Sequence, residues 1–330
     1  MRLQQPIPAI HDAAERQHFQ LLLLQWFDHH KRDLPWRQDR DPYRVWLSEI
    51  MLQQTRVSAV MDHYQRFLRR FPTIEALASA RESSVLAAWS GLGYYRRARM
   101  LRAAARKIVR EYGGEFPGTA EDLRALPGIG RYTAAAIASI AFDQPVAVVD
   151  GNVERVLQRV RGKNLAGEAL WGAAGELLSQ QRPGDFNQAM MELGATLCLP
   201  RQPQCLLCPV SEFCATRGER YRAGKGTRQK KREIHYAFAA RNGSIFLVQR
   251  SKTATLMPGM WEFPEITGSN GTTAAWLTLR HSITVTDYVV RVVRNSAPAG
   301  VPGRWVRKSR ATTLPLTGLT RKILRMAQVI

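Results

Sequence analysis

Residues 126–137 read LPGIGRYTAAAI, a Pro-Gly-x-Gly turn that runs directly into an alanine-rich helix. Gly128 and Gly130 let the backbone reverse tightly and approach a neighbouring molecule. The amides that follow sit at a helix N-terminus, where unpaired N–H groups favour an anion such as phosphate. With TAEDLRAL, residues 119–126, as the preceding helix, the stretch is expected to form a helix-hairpin-helix element that holds a nucleic-acid backbone without reading its sequence. Taken alone, PGxG suits a plain helix-to-helix turn equally. The surroundings are helical: HFQLLLLQWFDHH, PYRVWLSEIMLQQ, SAVMDHYQRFLRRF, YRRARMLRAAARKIV, NVERVLQRV and ALWGAAGELLSQ repeat apolar residues at three and four positions, with Pro and Gly between them. A mainly α domain is therefore expected over residues 17–215, after an N-terminal extension of residues 1–16.

The segment from Thr216 to Glu233 drops every large aliphatic side chain and turns basic, which marks a linker. Residues 234–330 then alternate apolar and polar, as in IHYAFAA, SIFLVQR and SITVTDYVVRVV, with RNG and SNG as turns. This pattern predicts a smaller domain built on an antiparallel sheet, with LTRKILRMAQVI as a terminal helix. The net charge of +21 exceeds what solubility needs and points to a polyanionic partner, nucleic acid first. No basic, amphipathic or long apolar stretch suggests a membrane, and the N-terminus has no signal-peptide pattern, so a cytoplasmic, nucleoid-associated protein is expected.

All four cysteines, Cys198, Cys205, Cys208 and Cys214, follow C-x6-C-x2-C-x5-C. Four thiolates so close in sequence form one ligand set, for zinc or for an iron-sulfur cluster. Two carboxylates also stand out. Asp41 and Pro42 open a helix that places Glu49 over Val45 and Trp46, and a carboxyl against an apolar stripe gains the raised pKa that a general acid requires; on a solvated face Glu49 would do nothing. Asp150 ends the apolar run PVAVV and begins a helix, the position of an N-cap. Two carboxylates in different settings are also what cleavage of a glycosidic bond needs, one as acid for the leaving group and one facing the sugar cation.

Taken in order, LPWR, WLSEIMLQQT, GLGYYRRAR, LPGIGRYTAAAI, VVDGNVERV, MELGATLC and the cysteine loop resemble the endonuclease III-type helix-hairpin-helix superfamily, and within it the adenine DNA glycosylases of the MutY type. The resemblance is dense from Phe19 to Cys214. It implies a mainly α glycosylase of two helical subdomains with a [4Fe-4S] cluster on Cys198, Cys205, Cys208 and Cys214, followed by a smaller α+β Nudix-like domain to which LMPGMWEFPE belongs. The chain would act as a monomer on double-stranded DNA containing an adenine mispaired with 8-oxoguanine or guanine, and remove the adenine in base excision repair.

At Tyr132 the bifunctional branch of the superfamily carries a lysine that attacks the sugar, and a tyrosine cannot form that Schiff base. Arg56 after Thr55 also departs from the pyrimidine-specific branch. The resemblance implies Glu49 as proton donor to the adenine, Asp150 as stabiliser or trap of the oxocarbenium ion, and Tyr132 and Asn152 as their supports. Trp36, Arg37 and Glu192 would form the adenine pocket, and Gln54, Thr55, Tyr94, Gly128 and Gly130 would contact DNA, with Gln54 and Tyr94 filling the vacated stack in competition with Tyr95. The Nudix-like part lacks the acidic REx2EExG box and is expected to bind rather than hydrolyse. The family's lesion-reading H-x-F-S-H loop reads HSITV here, which leaves His281 and Thr284 but puts Ile283 and Val285 where the aromatic ring and the second histidine belong. Two alternatives remain from the sequence: a bifunctional glycosylase for damaged pyrimidines, and a non-catalytic iron-sulfur DNA-binding protein.

Overall fold

The computed structural model describes residue 10 and residues 12–217, 230–266, 274–283 and 286–330. Among the described residues no helix is long and apolar enough to cross a membrane. The chain divides into two compact units, Met1–Val57 with Ala104–Gly224, and Ser58–Ala103 with Lys225–Ile330.

The first unit is helical. Its principal helices are Ala13–His30, Pro42–Leu52, Arg131–Phe142, Gly151–Arg161, Gly167–Leu177 and Pro183–Thr196. Their starts are set by capping: Asp12 accepts from the Glu15 amide, Asp41 from the Arg44 amide ahead of Pro42, and Asp150 from the amides of Asn152 and Val153. Phe19, Leu23 and Phe27 of the first helix close on Val156, Leu157 and Val160 and on Phe186, Met190 and Leu193, and this core fixes the Gly151–Arg161 and Pro183–Thr196 helices to each other.

The hairpin forms as expected, with Ala120–Arg124 before the turn and Arg131–Phe142 after it. Gly128 adopts φ +76°, a conformation that favours glycine, whereas Gly130 has an ordinary φ of −89° and nothing within 4 Å of where a Cβ would lie. The two glycines thus serve different ends: Gly128 makes the turn, and Gly130 leaves the mouth of the helix open.

In the second unit the helices Ile74–Ser79 and Glu82–Trp89 and most of Val57–Arg70 belong with a β-rich portion. That portion has a three-stranded sheet in the order Lys230–Phe238, Thr286–Arg294, Leu277–Ile283, and a second sheet in which Ser244–Gln249 pairs with Ala240–Arg241, Trp261–Glu262 and Gly303–Arg307. The sequence pattern suggests a wholly antiparallel sheet, and here the structure differs. Lys230–Phe238 runs parallel to Thr286–Arg294, Lys230 opposite Thr286 and Phe238 opposite Arg294. Period-two alternation reports only which face a side chain takes, and both pairings share it; the long connection between these strands permits the parallel one. Tyr236, Phe238, Ile245, Leu247, Val290 and Val292 pack under the terminal helix Gly318–Met326 through Leu319, Ile323 and Leu324.

Candidate active site

Glu49 projects from the Pro42–Leu52 helix into the interior of the first unit and is only 7% exposed. The Tyr132 hydroxyl donates to Glu49 Oε2 at 2.7 Å and also lies 3.5 Å from Met191 Sδ. Burial raises the carboxyl from its ordinary 4.5 to about 7; the Tyr132 hydrogen bond opposes the shift, the charge of Asp150 adds to it, and Arg37 opposes it. A group poised near neutrality gives up and recovers a proton at little cost, as general acid–base chemistry demands. Tyr132 itself, buried beside two carboxylates, is driven well above its ordinary pKa of 10.0, first by desolvation and then by Glu49 and Asp150, so it serves as a hydrogen-bond donor.

Asp150 is both an N-cap and a neighbour of Glu49. Its Oδ1 accepts from the backbone N–H of Asn152 at 2.9 Å and of Val153 at 2.7 Å, and its Oδ2 accepts from Asn152 Nδ2 at 3.0 Å. The stretch leading to it is held by Asn187, which donates to Val146 O at 2.9 Å and to Ser139 Oγ at 2.9 Å and accepts from the Val148 amide at 3.1 Å. Asn152 is oriented from behind by Arg155, whose Nη2 donates to Asn152 Oδ1 at 2.9 Å and to Gly194 O at 2.6 Å while its Nε donates to Cys198 O at 2.8 Å. Gly194 is required here: a Cβ on it would lie 2.6 Å from Asn152 Cβ.

Glu192 is set to the opposite state. It is 1% exposed, and burial raises its pKa, yet hydrogen bonds from Arg32 and Arg37 prevail and leave it below the ordinary value. Arg32 Nε and Nη2 donate to Glu192 Oε1 and Oε2 at 2.6 and 2.8 Å, and Arg37 Nη2 donates to Oε2 at 2.8 Å. Arg37 also lies over the Phe27 ring, 5.4 Å from its centroid, and Trp36 is buried.

The structure thus brings Glu49, Tyr132, Asp150 and Asn152 together, and joins Arg37 to Glu192. Arg32, Arg155 and Asn187 were not singled out by the sequence; the only signals were an RD pair before LPWR, an arginine three residues after Asn152, and an asparagine shortly before MELGATLC. Gln54 is exposed, and Thr55 Oγ1 donates to Gln53 O at 3.2 Å. Tyr94 is 46% exposed whereas Tyr95 is 4% exposed, so of the two only Tyr94 can reach another molecule. Gln54 and Tyr94 have φ of +53° and +47°, a left-handed conformation that is strained for their side chains. Thr284 lies outside the described residues.

The cysteine loop follows directly, with short 3-10 turns at Cys205–Leu207 and Ser211–Phe213. Arg159 Nη1 donates to Cys198 Sγ at 3.2 Å and to Leu199 O at 2.8 Å. Burial, and then the other cysteines, raise the Cys205 and Cys208 thiols, Cys208 to about 11. These shifts keep the Cys205 and Cys208 thiols protonated as they stand; the feature that suits a thiolate ligand set is the buried Arg159 guanidinium donating to Cys198 Sγ, and among the described residues no three His, Cys, Asp or Glu side chains stand close enough to hold a metal.

Residues 47–167 match the family model of the HhH-GPD superfamily base excision DNA repair protein. The chain is similar to the adenine DNA glycosylase of Rattus norvegicus, 41% identical over 80% of this chain and 64% of that one, and to that of Schizosaccharomyces pombe, 33% identical over 76% of this chain and 70% of that one. It spans only 40% and 44% of the length of the human and mouse relatives it matches. Among solved structures, a thermostable thymine-DNA glycosylase superposes with a TM-score of 0.59 at 33% identity, covering 62% of this chain and 99% of that one. A third of its residues identical across 70% of a relative's length, together with the matched superfamily region that contains Glu49, Tyr132 and Asp150, makes the chain a member of the adenine DNA glycosylase family.

Proposed function

We propose that the protein is a monofunctional glycosylase that flips adenine out of a mispair with 8-oxoguanine or guanine in double-stranded DNA and hydrolyses its N-glycosidic bond. The observation that carries this reading is Glu49, a buried carboxyl held near pH 7 by its surroundings and hydrogen-bonded to Tyr132. In its protonated form it donates to N7 of the extruded adenine, which turns the base into a neutral leaving group. Asp150 faces the sugar as positive charge develops there, and Asn152 and the helix amides fix its two oxygens. Glu49, now a carboxylate, then accepts a proton from the water that completes hydrolysis. Tyr132 supplies a hydrogen bond where an amine nucleophile would be needed for strand cleavage, so the product is an abasic site in an intact strand.

Arg37, Glu192 and Trp36 form the wall of the adenine pocket, with Glu192 kept anionic by two guanidinium groups. Gly128, Gly130 and the amides opening the Arg131–Phe142 helix bind a backbone phosphate, Thr55 contacts DNA, and Gln54 and Tyr94 enter the stack. Cys198, Cys205, Cys208 and Cys214 would hold a [4Fe-4S] cluster, whose service is to bind and anchor the loop beside Arg159. The proposed domains are the helical glycosylase over residues 17–215, a basic linker over 216–233 and a Nudix-like part over 234–330 in which Thr284 contributes to reading 8-oxoguanine, although the first helix already begins at Ala13, the first strand at Lys230, and residues 58–103 form one compact unit with the C-terminal portion. The protein works as a monomer in the cytoplasm, associated with the nucleoid.

The test is a labelled duplex with A opposite 8-oxoguanine, incubated with and without alkali. Cleavage that appears only after alkali supports the reading, whereas strand cleavage without alkali supports the bifunctional alternative, and no cleavage at all supports a binding protein. Glu49→Gln should slow single-turnover excision about 10²–10⁴-fold with mispair affinity retained; a rate within threefold of the parent would sink the assignment.

A further inference from the structure

Resting on the proposed role of Tyr94 in the DNA stack, the geometry points to a second duty for the C-terminal portion: Leu316, Arg321 and Pro258 brace the turn that presents Tyr94, so that this portion acts as a positioning element for base extrusion.

The turn is strained at Tyr94, the one residue in it other than glycine at positive φ. Gly91, Gly93 and Tyr94 have φ of +110°, +75° and +47°, three left-handed residues within four positions. Such a turn persists only where its surroundings over-determine it. Part of the support is local. Trp89 Nε1 donates to Gly93 O at 3.2 Å, and the Arg97 guanidinium lies over both the Trp89 and Tyr94 rings, at 5.5 and 5.3 Å from their centroids.

The rest comes from residues more than 150 positions away in the chain. Leu316 O accepts from Ser90 Oγ at 2.7 Å and from the Tyr95 hydroxyl at 3.2 Å, which places one carbonyl against the residues on either side of the turn. Arg321 Nε donates to the same Ser90 Oγ at 3.0 Å, and Arg99 Nη2 donates to Pro258 O at 2.6 Å. A Cβ on Gly91 would lie 3.7 Å from Arg321 Cδ, so the turn is also packed against that side chain. The bracing carbonyls are rigidly mounted. The Trp261 amide donates to Pro315 O at 2.9 Å and the Thr317 amide to Trp261 O at 3.0 Å, which ties Leu316 to the second sheet; Pro258 stands between Met257 and Gly259, both at positive φ. The motif LMPGMWEFPE, left without a catalytic task, thereby gains a positioning one. Every one of these polar contacts stops short of Tyr94, whose exposed ring they leave facing outward.

The experiment uses the full chain and the A opposite 8-oxoguanine duplex. Arg321→Ala and Ser90→Ala should each lower single-turnover excision at subsaturating protein by about tenfold, as loss of a buried or charge-assisted hydrogen bond does. They should add nothing in a Tyr94→Ala background. Amide exchange across residues 90–96 should rise in Arg321→Ala without DNA present. The inference is overturned by Arg321→Ala and Ser90→Ala both within twofold of the parent, by penalties that add fully to that of Tyr94→Ala, or by unchanged exchange in the turn. Should Tyr94→Ala itself leave excision intact, there is no wedge to brace and the inference fails, while the glycosylase reading is still decided separately by Glu49→Gln.

Discussion

Replacing Glu49 with glutamine should make the protein more stable at alkaline pH while destroying its activity. The sign follows from linkage. The folded state holds the Glu49 proton to about pH 7 against an ordinary value of 4.5, so folding is favoured by protonation, fully so below 4.5, and that contribution is lost as pH rises through 7. At about 1.4 kcal/mol for each pH unit, an ionised Glu49 costs the native state on the order of 3 kcal/mol at pH 8 and below about 1 kcal/mol at pH 5. Glutamine keeps the volume and still accepts from the Tyr132 hydroxyl, but never charges. The stability gap between variant and parent should therefore widen by roughly 2–3 kcal/mol between pH 5 and pH 8, seen in a unit of this size as an increase of roughly 5–10 °C in the Tm difference. Paired calorimetric scans at the two pH values measure it. A gap that stays constant with pH would show that Glu49 titrates near its ordinary value, and the argument for its role as acid would fall with it.

Four further outcomes are expected. Tyr132→Phe removes the hydrogen bond that opposes the rise of the Glu49 pKa, so the alkaline limb of the excision profile, set near pH 7 in the parent, should move upward in pH, and an unmoved limb would mean the hydroxyl does not reach Glu49. Gly194→Ala forces a methyl to within 2.6 Å of Asn152 Cβ and should cost about 1–3 kcal/mol of stability in denaturant titration, together with excision, whereas a neutral effect would contradict the packing. Cys205→Ser should lower the iron and labile sulfide found in the purified protein by elemental and sulfide analysis, and stoichiometric zinc in the parent would refute an iron-sulfur site. DNA affinity measured between 50 and 200 mM salt should fall steeply, by about 10³-fold or more if six or more phosphates are neutralised, and a flat response would assign the +21 charge to something else.

What the sequence revealed depended on how local the cause was. The Arg131–Phe142 helix and its glycine turn could be read directly because proline, glycine and a run of alanines act within one turn of chain. Asp150 as N-cap was legible for the same reason. The Pro183–Thr196 helix was not picked out by apolar spacing, since its buried face includes Asn187, Glu192 and two glycines, which hydropathy reads as polar or breaking. Those residues are buried because distant partners satisfy them: Arg32 and Arg37 neutralise Glu192, and Asn187 completes the backbone of residues 146–148. Long-range satisfaction of that kind leaves no local pattern. The parallel pairing of Lys230–Phe238 escaped for a related reason, as alternation fixes a strand's faces but not its neighbour's direction.

The site's chemistry rests on giving two buried glutamates opposite protonation. Both lose solvent, and desolvation alone pushes both toward the neutral form. Glu192 receives donors from two arginines and becomes a fixed anion, which on the proposed reading would accept from the exocyclic amino group of the adenine. Glu49 receives one neutral donor, Tyr132, and a like charge nearby in Asp150, so it keeps a proton it can spend. A lysine at 132 would undo this arrangement, because a cation within hydrogen-bond reach would pull Glu49 toward its anion just where an acid is required. On the proposed reading, the tyrosine therefore does more than withhold a nucleophile. It donates a hydrogen bond without bringing a charge, and that is the condition under which Glu49 can act as an acid at neutral pH.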